Sequence, residues 1–258
     1  MYHPFSVAET IKTAWNVLKR NFVPLIVYSV ISLFIYEFVD FLKAFILIDD
    51  DMGSRLVIIL LQMVVQAYIG LSFYKLILTL MDREYYEFEF KDIVPSFKMA
   101  FNFIIIGLLL GVLFLLLFFL YVAAERYLGY PRIFEALELI LILFIGLRCI
   151  FCICFIVDDN SAPLESLKQS FEITKDNFFK TLSIFLIIIA ILILVLIPVI
   201  AIMNFFGLDE DNGGFVFRLA FYCWFILTFP FIQVIIMVTY RKLVYSHLDV
   251  DDDIAETN

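Results

Sequence analysis

Six continuous apolar runs, each about 20 residues or longer, stand at about 22–42, 56–80, 101–123, 134–157, 181–206 and 215–240. A helix crossing the roughly 30 Å hydrocarbon core of a bilayer needs about 20 such residues. Inside lipid every backbone polar group must find a partner within the chain, which leaves helices and closed barrels as the only spanning forms. Barrel strands are segments of roughly ten residues with alternating polarity, whereas these runs do not alternate. An all-α polytopic membrane protein with six transmembrane helices is therefore expected. Composition points the same way: 64% of the 258 residues are hydrophobic, 31 of them phenylalanine, and 17% are charged. A globular chain carries about 25% charge, so too few polar residues exist here to cover a water-facing surface.

Charge and cysteine usage exclude further classes. A net charge of −9 argues against nucleic acid as a partner, because its binders carry basic patches. Four cysteines do not make a disulfide scaffold. No small-residue cleavage site accompanies the first run, so no cleavable signal peptide is expected. Orientation follows lysine and arginine rather than net charge. Lys12, Lys19, Arg20, Arg83, Lys91, Lys98, Lys168, Lys175, Lys180, Arg241 and Lys242 collect on one side of the six runs. Lys43, Arg55, Arg126 and Arg132 fall on the other, with Arg218 just inside the last run and Lys75 and Arg148 within runs. Both termini are accordingly expected in the cytoplasm.

The chain repeats itself. Glu9-x-x-Lys12-x-x-Trp15-x-x-x-Lys19-x-Asn21-Phe22 returns 156 residues later as Glu165-x-x-Lys168-x-x-Phe171-x-x-x-Lys175-x-Asn177-Phe178. A weaker third copy is Pro95-x-x-Lys98-x-x-Phe101. Each precedes a pair of runs, which suggests three units, about 5–81, 91–157 and 162–240, each an interfacial helix followed by a helical hairpin. They form one domain over 1–247. The acidic tail 248–258 lacks the glycine and distal glutamate of a calcium loop and is expected to be flexible.

Ser6-x-x-Glu9 has the spacing of a capping box, which predicts a helix starting at Val7. Val7, Ala8, Ile11, Trp15 and Leu18 then share one face, and Glu9, Lys12, Thr13, Asn16 and Lys19 the other. Such a helix lies in the membrane interface with Trp15 at headgroup level, or else packs its apolar face on the bundle. In the second copy Pro163 suits a first helical turn, and Leu164, Leu167 and Phe171 form the apolar stripe. Glu9–Lys12 and Glu165–Lys168 are spaced as i,i+3 pairs, and Lys19 and Lys175 are placed to snorkel to anionic headgroups.

The stretch Phe155-Ile-Val-Asp-Asp-Asn-Ser-Ala-Pro-Leu-Glu-Ser-Leu-Lys-Gln-Ser-Phe-Glu-Ile-Thr-Lys-Asp-Asn-Phe-Phe-Lys resembles bacterial six-helix integral membrane proteins. It is similar to the membrane domain attached to some glycerophosphodiester phosphodiesterases, and to related stand-alone membrane proteins of unknown function. Phe5-Ser-Val-Ala-Glu-Thr-Ile-Lys-Thr-Ala-Trp resembles their N-terminal segment. The resemblance implies a multi-pass protein of the bacterial inner membrane. No soluble phosphodiesterase domain is expected in these residues, so that activity is not carried over.

Few side chains offer chemistry. Arg148 sits in the fourth run, where an arginine costs about 2.5–3.5 kcal/mol on insertion scales. It is expected either to contact a ligand or anion, or to pair with a carbonyl, with Gln62 or Gln66, or with a carboxylate. Gln62 and Gln66 share a face of the second run and suit interhelical hydrogen bonds; Lys75 on the same run suits snorkelling. Glu37, Asp40, Glu135, Glu138 and Arg218 either line an outward-facing polar vestibule or mark hydrated helix ends. Pro198 and Pro230 are expected to kink the last two runs. Cys149-x-x-Cys152-x-Cys154 lacks the fourth convergent ligand of a tetrahedral metal site and reads as small buried hydrophobes. The two histidines, His3 and His247, lie outside the runs, and no nucleophile, phosphate or metal motif is visible. No catalytic residue, cofactor or metal is expected. The expectation is a non-enzymatic membrane protein working through membrane lipids or other integral membrane proteins, for instance as an accessory subunit. A transporter or lipid-handling protein with a polar cavity around Arg148 is the rival reading.

Overall fold

A computed structural model of the chain describes residues 6–46, 51–82, 89–128, 131–205 and 210–245. Ten helices and no strand occur among the described residues: α1 Val7–Arg20, α2 Phe22–Ile46, α3 Met52–Asp82, α4 Phe90–Ile93, α5 Phe97–Leu128, α6 Pro131–Cys149, α7 Cys152–Asp158, α8 Pro163–Asp176, α9 Phe178–Phe205 and α10 Glu210–Val244. His3, His247 and the acidic tail lie outside the described residues.

Among the described residues six segments are long and apolar enough to cross a membrane: Phe22–Lys43, Met52–Asp82, Phe90–Ala124, Phe134–Asp158, Phe178–Ala201 and Val216–Val244. Their side chains point largely outward. Phe34, Leu60, Phe119, Leu120, Ile140 and Leu194 are each more than half exposed, far beyond the apolar patch of a typical soluble monomer. Only a hydrocarbon solvent makes that arrangement stable. Helices α9 and α10 continue through Pro198 and Pro230 without ending.

The chain forms two compact units, one from Met1–Gln62, Leu76–Phe88 and Leu182–Asn258, the other from Met63–Lys75 and Glu89–Thr181. In the first, α1 packs on α10 and α2, and α10 on α2. Its core includes Ala14, Leu18, Leu25, Val234, Met237 and Tyr240. Trp15 meets Phe231 edge to face, with ring centroids 5.5 Å apart, and Lys242 pairs with Glu9 at 3.0 Å. Arg241 pairs with Asp82. In the second unit α8 packs on α5, α6 and α7, around Leu147, Phe151, Cys154 and Ile156. Asn102 on α5 donates to the Ser161 carbonyl at 3.0 Å, tying down the turn between α7 and α8. That turn reverses at Asn160, whose φ of 54° is a left-handed conformation that asparagine tolerates better than most residues.

Helices α1 and α8 share one length, and their bounds stand 156 residues apart. Each ends on an asparagine in nearly the same conformation, Asn21 at φ −114°, ψ 27° and Asn177 at φ −121°, ψ 29°. Each amide side chain donates back to the carbonyl four residues earlier, Asn21 to Val17 at 3.0 Å and Asn177 to Ile173 at 3.4 Å. In each case the asparagine is the corner between a short helix and a long apolar one. The third copy lacks this corner: Lys98 and Phe101 belong to the first turns of α5, and no separate helix of the α1 kind stands there among the described residues. At the places of Lys19 and Asn21 stand Ile105 and Gly107, so neither a polar end nor a corner amide is available.

Local pairings also depart from expectation. Helix α1 does begin at Val7, but Ser6 makes no side-chain capping bond. Its carbonyl instead accepts the Thr10 hydroxyl at 2.8 Å, while Glu9 reaches across to Lys242. Glu165 turns back to the Ala162 N–H at 3.5 Å, and Lys168 approaches Glu172 at 3.9 Å. The i,i+3 pair Glu165–Lys168 does not form, because the cap takes the carboxylate.

Candidate functional site

Helices α1 and α8 carry the same pattern of exposure at every position from Ser6 to Arg20 and from Ala162 to Asp176. The buried positions are Thr10, Ala14 and Leu18 in α1 and Ser166, Ser170 and Thr174 in α8. Glu9, Lys12, Trp15 and Lys19 are exposed, as are Glu165, Lys168, Phe171 and Lys175. The apolar stripe that the sequence suggests for α8 is therefore not its packing face. Leu164 is 72% exposed and Phe171 41%, matched by Trp15 at 46%. Leu18 apart, small and hydroxylated side chains face the protein, and the aromatic and basic positions are exposed. Lys19 lies 5.6 Å from the Trp15 ring centroid, within cation–π range.

The inner face of α8 meets an interruption in the fourth span. Helix α6 ends at Cys149 and α7 starts at Cys152, with Phe151 at φ −98°, ψ 1°. A break in a helix strands backbone groups that must be bonded elsewhere. Ser170 serves both sides: its hydroxyl donates to the Arg148 carbonyl at 2.6 Å and accepts the Phe151 N–H at 3.3 Å. The half-buried Arg148 side chain reaches the same helix. Its Nη1 donates to the Phe171 carbonyl and to Thr174 Oγ1, each at 3.3 Å. The guanidinium carbon lies 5.2 Å and 5.4 Å from the ring centroids of Phe144 and Phe178. Of the partners foreseen for Arg148, the structure supplies a carbonyl; Ser170, Thr174 and the two rings were not foreseen. The hydroxyls at i,i+4 in α8 were the available signal.

The remaining candidates are dispersed. Gln62 is half-buried and Gln66 exposed on α3; among the described residues neither makes a side-chain hydrogen bond, since Gln66 points outward and Arg148 is turned to α8. Lys75 donates to the Val94 carbonyl at 2.9 Å, closing the end of α4 instead of reaching outward. Glu37 accepts a hydrogen bond from Tyr222, with Arg218 beside the same phenol. Tyr222 is the member of that group that sequence reasoning missed. Asp40 pairs with Lys43 one turn on, and Glu138 is half-buried on α6. The four cysteines are free thiols, and among the described residues no three His, Cys, Asp or Glu side chains converge as metal ligands do.

Among the described residues outside the spans, two carboxyls are shifted. Hydrogen bonds from Ser54, first from its hydroxyl and then from its backbone N–H, hold Asp51 below the usual carboxylate range. That N–H lies 2.9 Å from Asp51 Oδ1, the geometry of a cap on α3. Partial burial, then the nearby Asp158 and Glu165, push Asp159 up.

Fold and surface together define an integral, multi-pass, all-α membrane protein. Residues 130–258, half of the chain, match the family model described as the membrane domain of glycerophosphoryl diester phosphodiesterase, and the chain belongs to that family. It matches no curated protein and no solved structure.

Proposed function

We propose that this is a non-enzymatic protein of the bacterial inner membrane that acts through lipids or other membrane proteins, its two amphipathic helices lying in the cytoplasmic interface. The observation that carries the reading is the outward face common to α1 and α8. Trp15 and Phe171 occupy equivalent exposed positions, and lysines flank each of them one turn before and after. An aromatic ring between basic side chains suits the headgroup layer, where the ring sits among the carbonyls and the ammonium groups reach phosphate. The shared burial pattern supports a repeated unit of interfacial helix plus hairpin, and the basic residues on one side of the spans support cytoplasmic termini. Two histidines outside the spans and dispersed carboxylates leave little for chemistry, which supports a non-enzymatic role.

The test uses the Trp224→Phe variant in lipid nanodiscs, which leaves Trp15 as the sole tryptophan. Its fluorescence is expected to be quenched more by lipids brominated near the headgroup than by those brominated at the chain ends. Quenching by aqueous iodide alone would overturn the interfacial reading. A stoichiometric protein recovered after gentle detergent extraction would give the same reading its accessory-subunit form.

A further inference from the structure

We propose that the interruption of the fourth span is a latched hinge: Ser170 on α8 holds the chain open at Ile150–Phe151, and undocking of α8 lets α6 and α7 join into one helix. The residues Arg148-Cys-Ile-Phe-Cys-Ile153 contain neither glycine nor proline. Sharp interruptions without those residues arise where a side chain or water inserts into the i→i−4 ladder. Here the inserted group is a hydroxyl from 19 residues downstream. In an uninterrupted helix the Phe151 N–H would bond the Leu147 carbonyl, and the Arg148 carbonyl would accept from Cys152. Ser170 takes that donor and that acceptor at once, at 3.3 Å and 2.6 Å. The Phe151 N–H, a single donor, therefore has two competing acceptors, the Ser170 hydroxyl in the open state and the Leu147 carbonyl in the joined one, and that choice is what a two-state element requires.

The rest of the contact is arranged as a grip on α8. Arg148, the residue at the hinge, holds the Phe171 carbonyl and Thr174 Oγ1, one turn beyond Ser170 on the same helix. The turn at Asn160, already left-handed, is the point from which α8 swings. All these contacts lie within the unit containing Glu89–Thr181, so the inference stands whether or not α8 rests in the interface.

The sequence supplies a probe, because Phe151–Cys152 is its one Phe–Cys peptide bond. Carbonyl-13C phenylalanine with 15N cysteine therefore gives a single correlated signal at the hinge in lipid nanodiscs. In the wild type the Phe151 carbonyl shift is expected at a turn value. Ser170→Ala should move it to the helical range, and Ser170→Thr, which keeps the hydroxyl, should leave it in place. A wild-type signal already helical, or one unchanged by Ser170→Ala, would overturn the latch. If Ser170→Ala yields too little folded protein, Arg148→Gln loosens α8 without opening the buried site. A second, helical Phe151 signal is then expected, and its absence counts against the proposal.

Discussion

Helices α1 and α8 are the same object on the outside and different objects on the inside. Their exposure agrees residue for residue over Ser6–Arg20 and Ala162–Asp176. Yet α1 buries Thr10, Ala14 and Leu18, and α8 buries Ser166, Ser170 and Thr174. The difference follows from what each must satisfy. Helix α1 lies on intact helices, so close packing, the Trp15–Phe231 contact and the Glu9–Lys242 pair hold it. Helix α8 lies on a broken one, and the Ser170 hydroxyl, donor and acceptor at once, bonds the groups left open there. The outer face is set by solvent, the inner face by the backbone it covers.

The comparison can be broken most forcefully at its centre. Ser170→Ala removes both hydrogen bonds of the latch and loosens the docking of α8, and should cost about 2 kcal/mol in a detergent unfolding titration. The matching Ala14→Ser should cost under about 1 kcal/mol, because the new hydroxyl can bond the carbonyl one turn back, as Thr174 bonds Ser170. Equal losses at the two positions would remove the distinction. Next comes the charged anchor of each helix. Arg148→Gln should destabilise by about 1.5 kcal/mol, whereas Glu9→Gln, a pair with an exposed carboxylate, should cost only about 0.5 kcal/mol. The corners test likeness instead of difference. Asn21→Ala and Asn177→Ala each remove one amide–carbonyl bond and should cost about 1 kcal/mol alike.

The smallest effect is a pH dependence confined to the α8 side. Because the Asp159 pKa is raised by partial burial and by Asp158 and Glu165, the fold binds its proton more tightly than the unfolded chain does. That contribution favours the fold at acid pH and is lost as pH rises from the ordinary carboxylate range through the raised value. Asp159→Asn should flatten this slope, slightly raising the neutral-pH melting temperature. A steeper slope in the variant would contradict the shift.

Much of this was legible from residues alone. Span length is a direct response to bilayer thickness, and the 156-residue offset located both amphipathic helices, with Pro163 and Val7 at their first turns as expected. What misled was the direction of their faces. Leu164, Leu167 and Phe171 recur at helical spacing, and so do Ser166, Ser170 and Thr174; periodicity alone does not say which stripe turns inward. Beside a hydrocarbon solvent the usual assignment of apolar to inside loses its force. The interruption after Cys149 was illegible for another reason. Nothing in its own residues breaks a helix, and the cause is a hydroxyl contributed by a distant segment. The pairing of Glu9 with Lys242 likewise depends on the packing of α1 against α10, which no local pattern encodes.

The corner at Asn21 has a mechanical consequence. One residue separates α1 from α2; its side-chain amide closes the end of α1 and its carbonyl accepts the Leu25 N–H of α2. The pair has the shape of a bent lever. With 14 residues in α1, the arm is about 21 Å long at 1.5 Å per residue. Carried rigidly with α2, the far end of α1 would move by about 3.6 Å for a tilt of about 10°, the kind of adjustment a thinner bilayer imposes. On the interfacial placement proposed for α1, bilayer thickness would set the position of that helix without any ligand at all.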